Sequence, residues 1–288
     1  MPCYFPMPSY DSNGTPCRLP CGQCIGCRLE YSRQWAIRCV HEAQMHNENC
    51  FITLTYNDDN LPTNKSVSKI EMSKFIRSLR KNLYPKKIRF FGSGEYGEKL
   101  SRPHYHICIF GHCFDNYKIL RSSKKVLGKK GFYTNTESLY RSKLLEKIWK
   151  KGWSSVGELT FQTSAYTARY ICKKITGSKS TQHYKNLNPE FALMSRNPGI
   201  GTTWFEKYST DVYPKDFLTK NGIKFRPPKF YDYLMMRKNP DLMLSIKQKR
   251  KENQNLQLDE IREMQRSHYK KLITKTLIRE YERSTNVN

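Results

Sequence analysis

The stretch KIRFFGSGEYGEKLSRPHYHICIFG, residues 87–111, narrows the fold of this chain more than any other. KIRFFGSG, 87–94, and HYHICIFG, 104–111, are rich in aromatic and β-branched residues, as strands are. EYGEKLSRP between them is short enough for a hairpin, which makes the two strands antiparallel neighbours. The flanking segments extend this pair into a pattern. CFITLTY, 50–56, reads as a strand closed by the turn-rich NDDNLP. SKIEMSKFIRSLRKNLY, 68–84, opens with a capping box from Ser68 to Glu71 and carries Met72, Phe75, Ile76, Leu79 and Leu83 at helical spacing. TESLYRSKLLEKIWKK, 136–151, reads as a helix capped by Thr136, and WSSVGELTF, 153–161, as a fourth strand. The order from 50 to 161 is then β-α-β-β-α-β. It predicts an α+β domain: a ferredoxin-like or RRM-like antiparallel sheet with helices on one face and the other face open.

The rest of the chain attaches to that unit. Residues 1–28 are rich in Pro, Gly and Cys and read as an irregular arm. LEYSRQWAIRCVHEAQMH, 29–46, follows as a helix with Leu29, Trp35 or Ala36, Val40 and Ala43 as its apolar positions. Residues 112–135 are basic and turn-rich, an inserted loop. TSAYTARYICKKIT, 163–176, is a further helix, capped by Thr163 or Ser164 and stopped at Gly177. The predicted segments are a Cys-rich arm and helix over 1–48, the sheet domain over 49–177, an irregular aromatic and Pro-rich extension over 178–234, and a charged helical tail over 235–288. In the tail Leu256, Ile261, Met264, Leu272 and Ile273 are too sparse for a heptad.

Charge narrows the class of partner. Lys and Arg number 51 against 25 Asp and Glu, a net +26, interleaved with 19 tyrosines and 14 phenylalanines. A polyanion, most simply nucleic acid, answers that balance; the plain alternative is a basic surface with no special partner. No apolar run approaches the roughly 18–20 residues of a membrane span. MPCYFPMPSY lacks a signal-peptide pattern, so a soluble cytoplasmic protein with reduced thiols and no membrane partner is expected.

Within that frame HYHICIFG acquires chemistry. His104 and His106, two apart on a strand, share a face while Tyr105 points away. Glu95 lies nine residues before His104, and a hairpin folded at 97–101 brings it beside the histidines. Two imidazoles and a carboxylate could hold a divalent ion with positions left for phosphate oxygens; ordinary polar contacts and an exposed turn glutamate are the alternative. Tyr166 and Tyr170 stand four apart on their helix, one turn apart on one side, with Arg169 and Lys173 three residues after each. A phenol can attack a phosphodiester if a cation offsets the charge of the transition state. A core stripe of Tyr166, Tyr170 and Ile171 would have the same spacing.

FITLTY, RPHYHICIFG and YTARYICKK together resemble the three motifs of the HUH endonuclease superfamily of rolling-circle replication initiators, with a tyrosine in the middle position of the second. With PCGQCIGCRLEYSRQWAIRCVHEA, GEYGEKLSRPHYHICIFG and NPGIGTTWFEKY, the resemblance narrows to the initiators of gokushovirus-type microviruses and covers about 17–208. It implies Mg2+ or Mn2+ on Glu95, His104 and His106, and nicking of single-stranded origin DNA by Tyr166 or Tyr170. A 5′-phosphotyrosine link and a primer 3′-OH would result, and the second tyrosine would act after one round so that the ends rejoin as a circle. The implied partners are the single-stranded or replicative-form viral origin and a host helicase and polymerase, in the cytoplasm of a bacterial host. Tyr170 has the more typical Tyr-x-x-Lys context; Tyr166 has Arg169 instead. GSGEYGEK, 92–99, has Glu98 and Lys99 where a P-loop needs Lys and Ser or Thr, so no ATPase is expected and the unwinding motor is the host's. A non-catalytic module that stacks single strands on an open RRM-like sheet is the competing class.

CRLPCGQCIGC sets four thiols, Cys17, Cys21, Cys24 and Cys27, within eleven residues. The spacing suggests structural zinc, on these four or on some of them with Cys39, His41 or Cys50. Free thiols and an iron–sulfur cluster are the alternatives, the latter because the first three have radical-SAM spacing.

Overall fold

The computed structural model describes residues 3, 5–10, 14–97, 101–115, 118–121, 125–127, 133–135, 138–173, 179–220, 222–253 and 268, with the backbone alone at 25, 121, 125–127, 133–135, 169–173, 179, 181, 183 and 220. In chain order the elements are β1 (Met7–Tyr10), β2 (Pro16–Leu19), α1 (Ile25–Ala43), β3 (Asn49–Tyr56), α2 (Lys69–Leu83), β4 (Arg89–Tyr96) and β5 (Pro103–Phe110). Next come β6 (Lys118–Arg121), β7 (Lys125–Leu127), β8 (Tyr133–Asn135), β9 (Leu139–Arg141), α3 (Lys143–Ile148), β10 (Gly152–Gly157) and α4 (Phe161–Lys173). The last are α5 (Lys179–Tyr184), β11 (Phe191–Met194), α6 (Thr202–Val212), β12 (Leu218–Lys220), β13 (Ile223–Phe225), α7 (Lys229–Lys238) and α8 (Pro240–Glu252). Contacts divide the chain into two units, Ser32–Tyr208 and Met1–Tyr31 with Ser209–Asn288.

The larger unit is a mixed α+β structure on a seven-stranded antiparallel sheet ordered β11-β4-β5-β3-β10-β9-β6. The hairpin β4–β5 forms as its residues predict, and half of the capping box does: Ser68 accepts a hydrogen bond from the Glu71 amide at 3.3 Å, whereas the Ser68 amide donates to Tyr105 and the Glu71 carboxylate pairs with Lys74 and Lys151. Elsewhere tertiary pairing overrides local pattern. The helix expected over 136–151 is split, because Leu139–Arg141 pairs with the edge of β10 as β9, and α3 begins only after its cap Ser142. Thr136 lies outside the described residues. The fourth strand ends at Gly157, and α4 starts earlier than expected. Its cap is Thr160, whose Oγ1 accepts from the Thr163 amide at 3.1 Å while Thr163 Oγ1 accepts from the Thr160 amide at 2.8 Å. The 112–135 insertion carries β6, β7 and β8. The stretch 178–234, expected to be irregular, carries short elements from α5 to α7, and β11 extends the sheet beside β4.

Both faces of the sheet are covered, which overturns the expected open face. On one side Ile52, Leu54, Tyr56, Tyr105, Ile107 and Ile109 pack under α2 and α3 against Met72, Phe75, Leu79, Leu145 and Trp149. On the other, Phe51, Phe91, Cys108 and Phe110 pack against Trp35 and Cys39 of α1, Ala168 of α4 and Ile200. Trp35 stacks on Phe91 at 4.5 Å. Leaving those phenylalanines in water would cost about 1.5–3 kcal/mol each, so a second helical layer follows from their presence. Stacking of nucleic acid across an open aromatic sheet, the competing class, loses most of its surface. The tyrosine within the His-x-His motif is explained on the first side. Tyr105 is fully buried, its hydroxyl 3.0 Å from that of Tyr56 and accepting from the Ser68 amide at 3.1 Å, so it anchors the start of α2.

In the smaller unit β1 pairs with β2 and β12 with β13. Arg250 of α8 donates to Asp216 and Asp232, and Tyr213 donates to Asp232 at 2.7 Å. Asn239 caps α8 by accepting from the Leu242 amide at 3.0 Å. Apart from His268, the predicted tail beyond 253 lies outside the described residues, as does Gly177. Among the described residues no helix is long and apolar enough to cross a membrane.

Candidate functional site

Strand alternation sorts polar side chains onto the face under α1 and α4, and pairing arranges them in rows. The innermost row is Phe51, Cys108 and Phe91, all buried. The next is Ser155, Thr53, His106 and Ser93. The outermost is Trp153, Thr55, His104 and Glu95. The hairpin thus sets Glu95 directly opposite His104, as the count of residues between them predicts.

Glu95 reaches diagonally to the neighbouring row. Its Oε1 lies 2.6 Å from His106 Nε2, and both side chains are buried. Nδ1 of His106 lies 3.0 Å from Thr53 Oγ1, so the ring is oriented at both nitrogens. It also stacks parallel to Phe51 at 5.6 Å. His104 Nδ1 donates to the Arg102 carbonyl at 2.5 Å. A carbonyl only accepts, so the proton sits on Nδ1 and Nε2 keeps its lone pair. Burial pushes the His104 pKa down, favouring the neutral ring that can offer that pair. The same carbonyl accepts from the Gly97 amide at 2.9 Å. A Cβ on Gly97 would stand 2.8 Å from His104 Cε1, so the absence of a side chain lets the ring lie against the hairpin.

Two imidazoles and one carboxylate form a donor set suited to Mn2+ or Mg2+, and the tautomer of His104 presents a ligand atom. The three residues do not close into one tight group. Glu95 and His106 touch, whereas the rings of His104 and His106 lie 6.4 Å apart and 15° from parallel. Among the described residues, the group of ligand-type side chains drawn within 4.8 Å of one another is Cys3, Cys21, Cys24 and Cys27.

Helix α4 brings a phenol to this face. Ser164, Thr167 and Ala168 are fully buried against the sheet, and their small size lets the helix approach closely. Thr167 and Ser164 each sit 3.9 Å from the Cys108 sulfur. Tyr166, half-buried, flanks that stripe with its ring edge-on to His106, 5.0 Å between centres and 85° between planes. Tyr170, Arg169 and Lys173 lie on α4, their side chains outside the described residues.

No motif singles out Thr53, Gly97, Arg102 or Trp153. The period of two in FITLTY sets Thr53 on one face with Phe51 and Thr55, but only pairing puts His106 opposite it. Arg102 donates to the Tyr56 carbonyl at 3.0 Å and to Asp58 at 2.5 Å, and its guanidinium stands 5.8 Å over the Trp153 ring. Trp153 is 58% exposed at the solvent end of the face. In the N-terminal arm Cys21, Cys24 and Cys27 come together, but Cys17 does not join them. Cys17 is held in β2 opposite Ser9, two pairs inside the end where Met7 faces Leu19. The chain leaves the ladder at that end on both sides, which brings in Cys3 instead.

The family profile described as replication-associated protein ORF2/G2P matches residues 49–176. Replication-associated protein ORF2 of Spiroplasma virus 4 is 36% identical over 237 residues, 77% of this chain and 69% of that protein. Replication-associated protein VP4 of Bdellovibrio phage phiMH2K is 30% identical over 256 residues, 86% of this chain and 75% of that protein. Replication-associated protein ORF4 of Chlamydia phage 1 is 30% identical over 226 residues, 75% of this chain and 53% of that protein. No solved structure matched the chain.

Proposed function

Because this chain belongs to the family of replication-associated proteins ORF2/G2P, we propose that it initiates rolling-circle replication of a bacteriophage genome as a tyrosine nickase and strand transferase. The observation that carries this reading is the contact of the Tyr166 ring with His106, which is itself bonded to Glu95. The strand order β4-β5-β3-β10, with α2 and α3 in the crossovers, supports the ferredoxin-like core of HUH endonucleases.

In this mechanism the phenol of Tyr166 or Tyr170 attacks the scissile phosphorus of single-stranded origin DNA. A bond forms from the phenolic oxygen to phosphorus and the bond to the 3′-oxygen breaks. The proton lost by the phenol is balanced by the one the leaving oxygen takes up. Lys173 and Arg169 offset charge on the pentavalent transition state. Glu95, His104 and His106 would hold a Mg2+ or Mn2+ ion, which would supply Lewis-acid charge at the phosphate. The enzyme keeps the 5′-phosphate on tyrosine, and the freed 3′-OH primes a host polymerase behind a host helicase. The second tyrosine repeats the attack on the regenerated origin, and the released 3′-OH rejoins the first link to close the circle. The net charge of +26 supplies affinity for the strand, and Trp153 offers a base a stacking surface beside the site. The work is done on viral DNA in the cytoplasm of the bacterial host.

Incubation with origin-bearing single-stranded DNA and Mn2+ should give a protein–DNA adduct that survives denaturation and fails to form with EDTA. The double variant Tyr166→Phe, Tyr170→Phe should give none. An unchanged adduct in that variant refutes the mechanism.

A further inference from the structure

We propose that Cys3, Cys21, Cys24 and Cys27 hold one zinc ion as a tetrathiolate that staples the β1–β2 hairpin to the start of α1. This centre is separate from the Glu95 and histidine site and does not rest on the nickase reading.

Three observations carry it. First, the four sulfurs converge from three short stretches: Cys3 before β1, Cys21 and Cys24 between β2 and α1, and Cys27 in the first turn of α1. None of the four is in a disulfide, their sulfurs lie within 4.8 Å of one another, and those of Cys24 and Cys3 are 3.9 Å apart. A tetrahedron with Zn–S bonds of about 2.3 Å has edges of about 3.8 Å. The spacing therefore suits one ion; a cluster of several irons would hold its thiolates farther apart.

Second, the backbone is turned toward the sulfurs. The Cys21 amide donates to Cys3 Sγ at 3.2 Å, and the Cys24 amide donates to Cys21 Sγ at 3.4 Å. Such bonds stabilise sulfur as thiolate, the form that binds metal. Gly22 adopts φ of +72°, closing the Cys21-to-Cys24 turn in a conformation that an L side chain resists.

Third, among the described residues the hairpin buries little apolar surface of its own. Its strands are four residues each. Phe5, Met7, Tyr10 and Leu19 are 60%, 50%, 73% and 49% exposed, so these side chains form no apolar core beneath it. A two-stranded ribbon of that size is marginal alone, and metal binding free energy becomes folding free energy in such modules. Soft thiolates select zinc over the hard cations that suit the Glu95 site.

The decisive comparison is between the cysteine the sequence spacing would choose and the one the fold supplies. The full-length protein purified with zinc should carry one zinc per chain on elemental analysis. Its Co2+-substituted form should show the intense visible bands and sulfur-to-cobalt charge transfer of a four-thiolate site. Cys17→Ser should keep the zinc, while Cys3→Ser should bind it at least about 10-fold more weakly. Zinc-free wild-type protein after reconstitution, iron in place of zinc, or zinc lost from Cys17→Ser but kept by Cys3→Ser would each overturn the assignment. If Cys3→Ser fails to fold, the cobalt spectra of wild type and Cys17→Ser still decide, since fewer than four thiolates give weaker charge transfer.

Discussion

Gly97→Ala should separate metal capture from stability. The added Cβ would stand 2.8 Å from His104 Cε1, and tight contact begins to relax at 3.4 Å, so the ring must move by 3.4 − 2.8, about 0.6 Å. It cannot do so freely, because its Nδ1 is bonded to the Arg102 carbonyl at 2.5 Å. Metal sites hold their ligands to within about 0.2 Å, so the displacement is about three times the tolerance. Losses of about 10–100-fold in metal affinity accompany disturbance of a ligand's supports. The backbone at Gly97 lies outside the left-handed region, so alanine introduces no torsional strain and narrows the unfolded ensemble by about 0.4–1 kcal/mol. The Mn2+ concentration for half-maximal adduct formation should rise about 10–100-fold. The rate at saturating Mn2+ should hold, and the urea midpoint should move little, because the narrower unfolded ensemble offsets the cost of shifting the ring. An unchanged Mn2+ requirement would refute the role given to His104.

Three further expectations follow from the same geometry. Thr53→Val keeps shape but removes the partner of His106 Nδ1, and should cost about 1 kcal/mol, roughly fivefold in the Mn2+ requirement, with Thr53→Ser restoring it. Trp153→Ala should weaken single-stranded DNA binding about 5–150-fold in fluorescence anisotropy without changing the dependence on salt, the value of about 1–3 kcal/mol for one stacked base. His41, stacked on Trp204 at 3.5 Å, is held by burial to a pKa of about 3 against 6.5 when unfolded. The unfolded chain takes up that proton and the folded one does not, so its contribution is full above pH 6.5 and lost as pH falls toward 3. Between pH 6.5 and 5 the loss is about 2 kcal/mol in urea titrations, and His41→Gln should remove it.

Local signals made the centre of the fold legible. FITLTY, RFFGSG and HICIFG alternate in register, and Ser68 with Glu71 marks the start of α2, so the strands and the Glu95–His104 pairing follow from counting residues. The second helical layer was harder to see. In α1 only Trp35 and Cys39 reach the sheet face strongly, and α4 seats itself with Ser164, Thr167 and Ala168, which no hydrophobic period reveals. Leu139–Arg141 looks helical in isolation and becomes a strand because β10 needs an edge partner. Cys3 had no spacing signature with the later cysteines. Its place in the group depends on the β1–β2 ladder, a pairing between segments that carry no period of their own.

The three rows across the sheet form a gradient from dry to wet. Four residues of strand, about 13 Å, separate Phe51, Cys108 and Phe91 from Trp153, Thr55 and His104. Inside that span the effective dielectric climbs from that of a hydrocarbon core toward that of water. His106 and Glu95 stand on the slope, where opposite charges attract more strongly than at a bare surface. Dissolved salt screens charges at an exposed row far more than at a buried one. Ionic strength should therefore govern how often DNA arrives and leave the bond-breaking step, once the strand is seated, almost untouched.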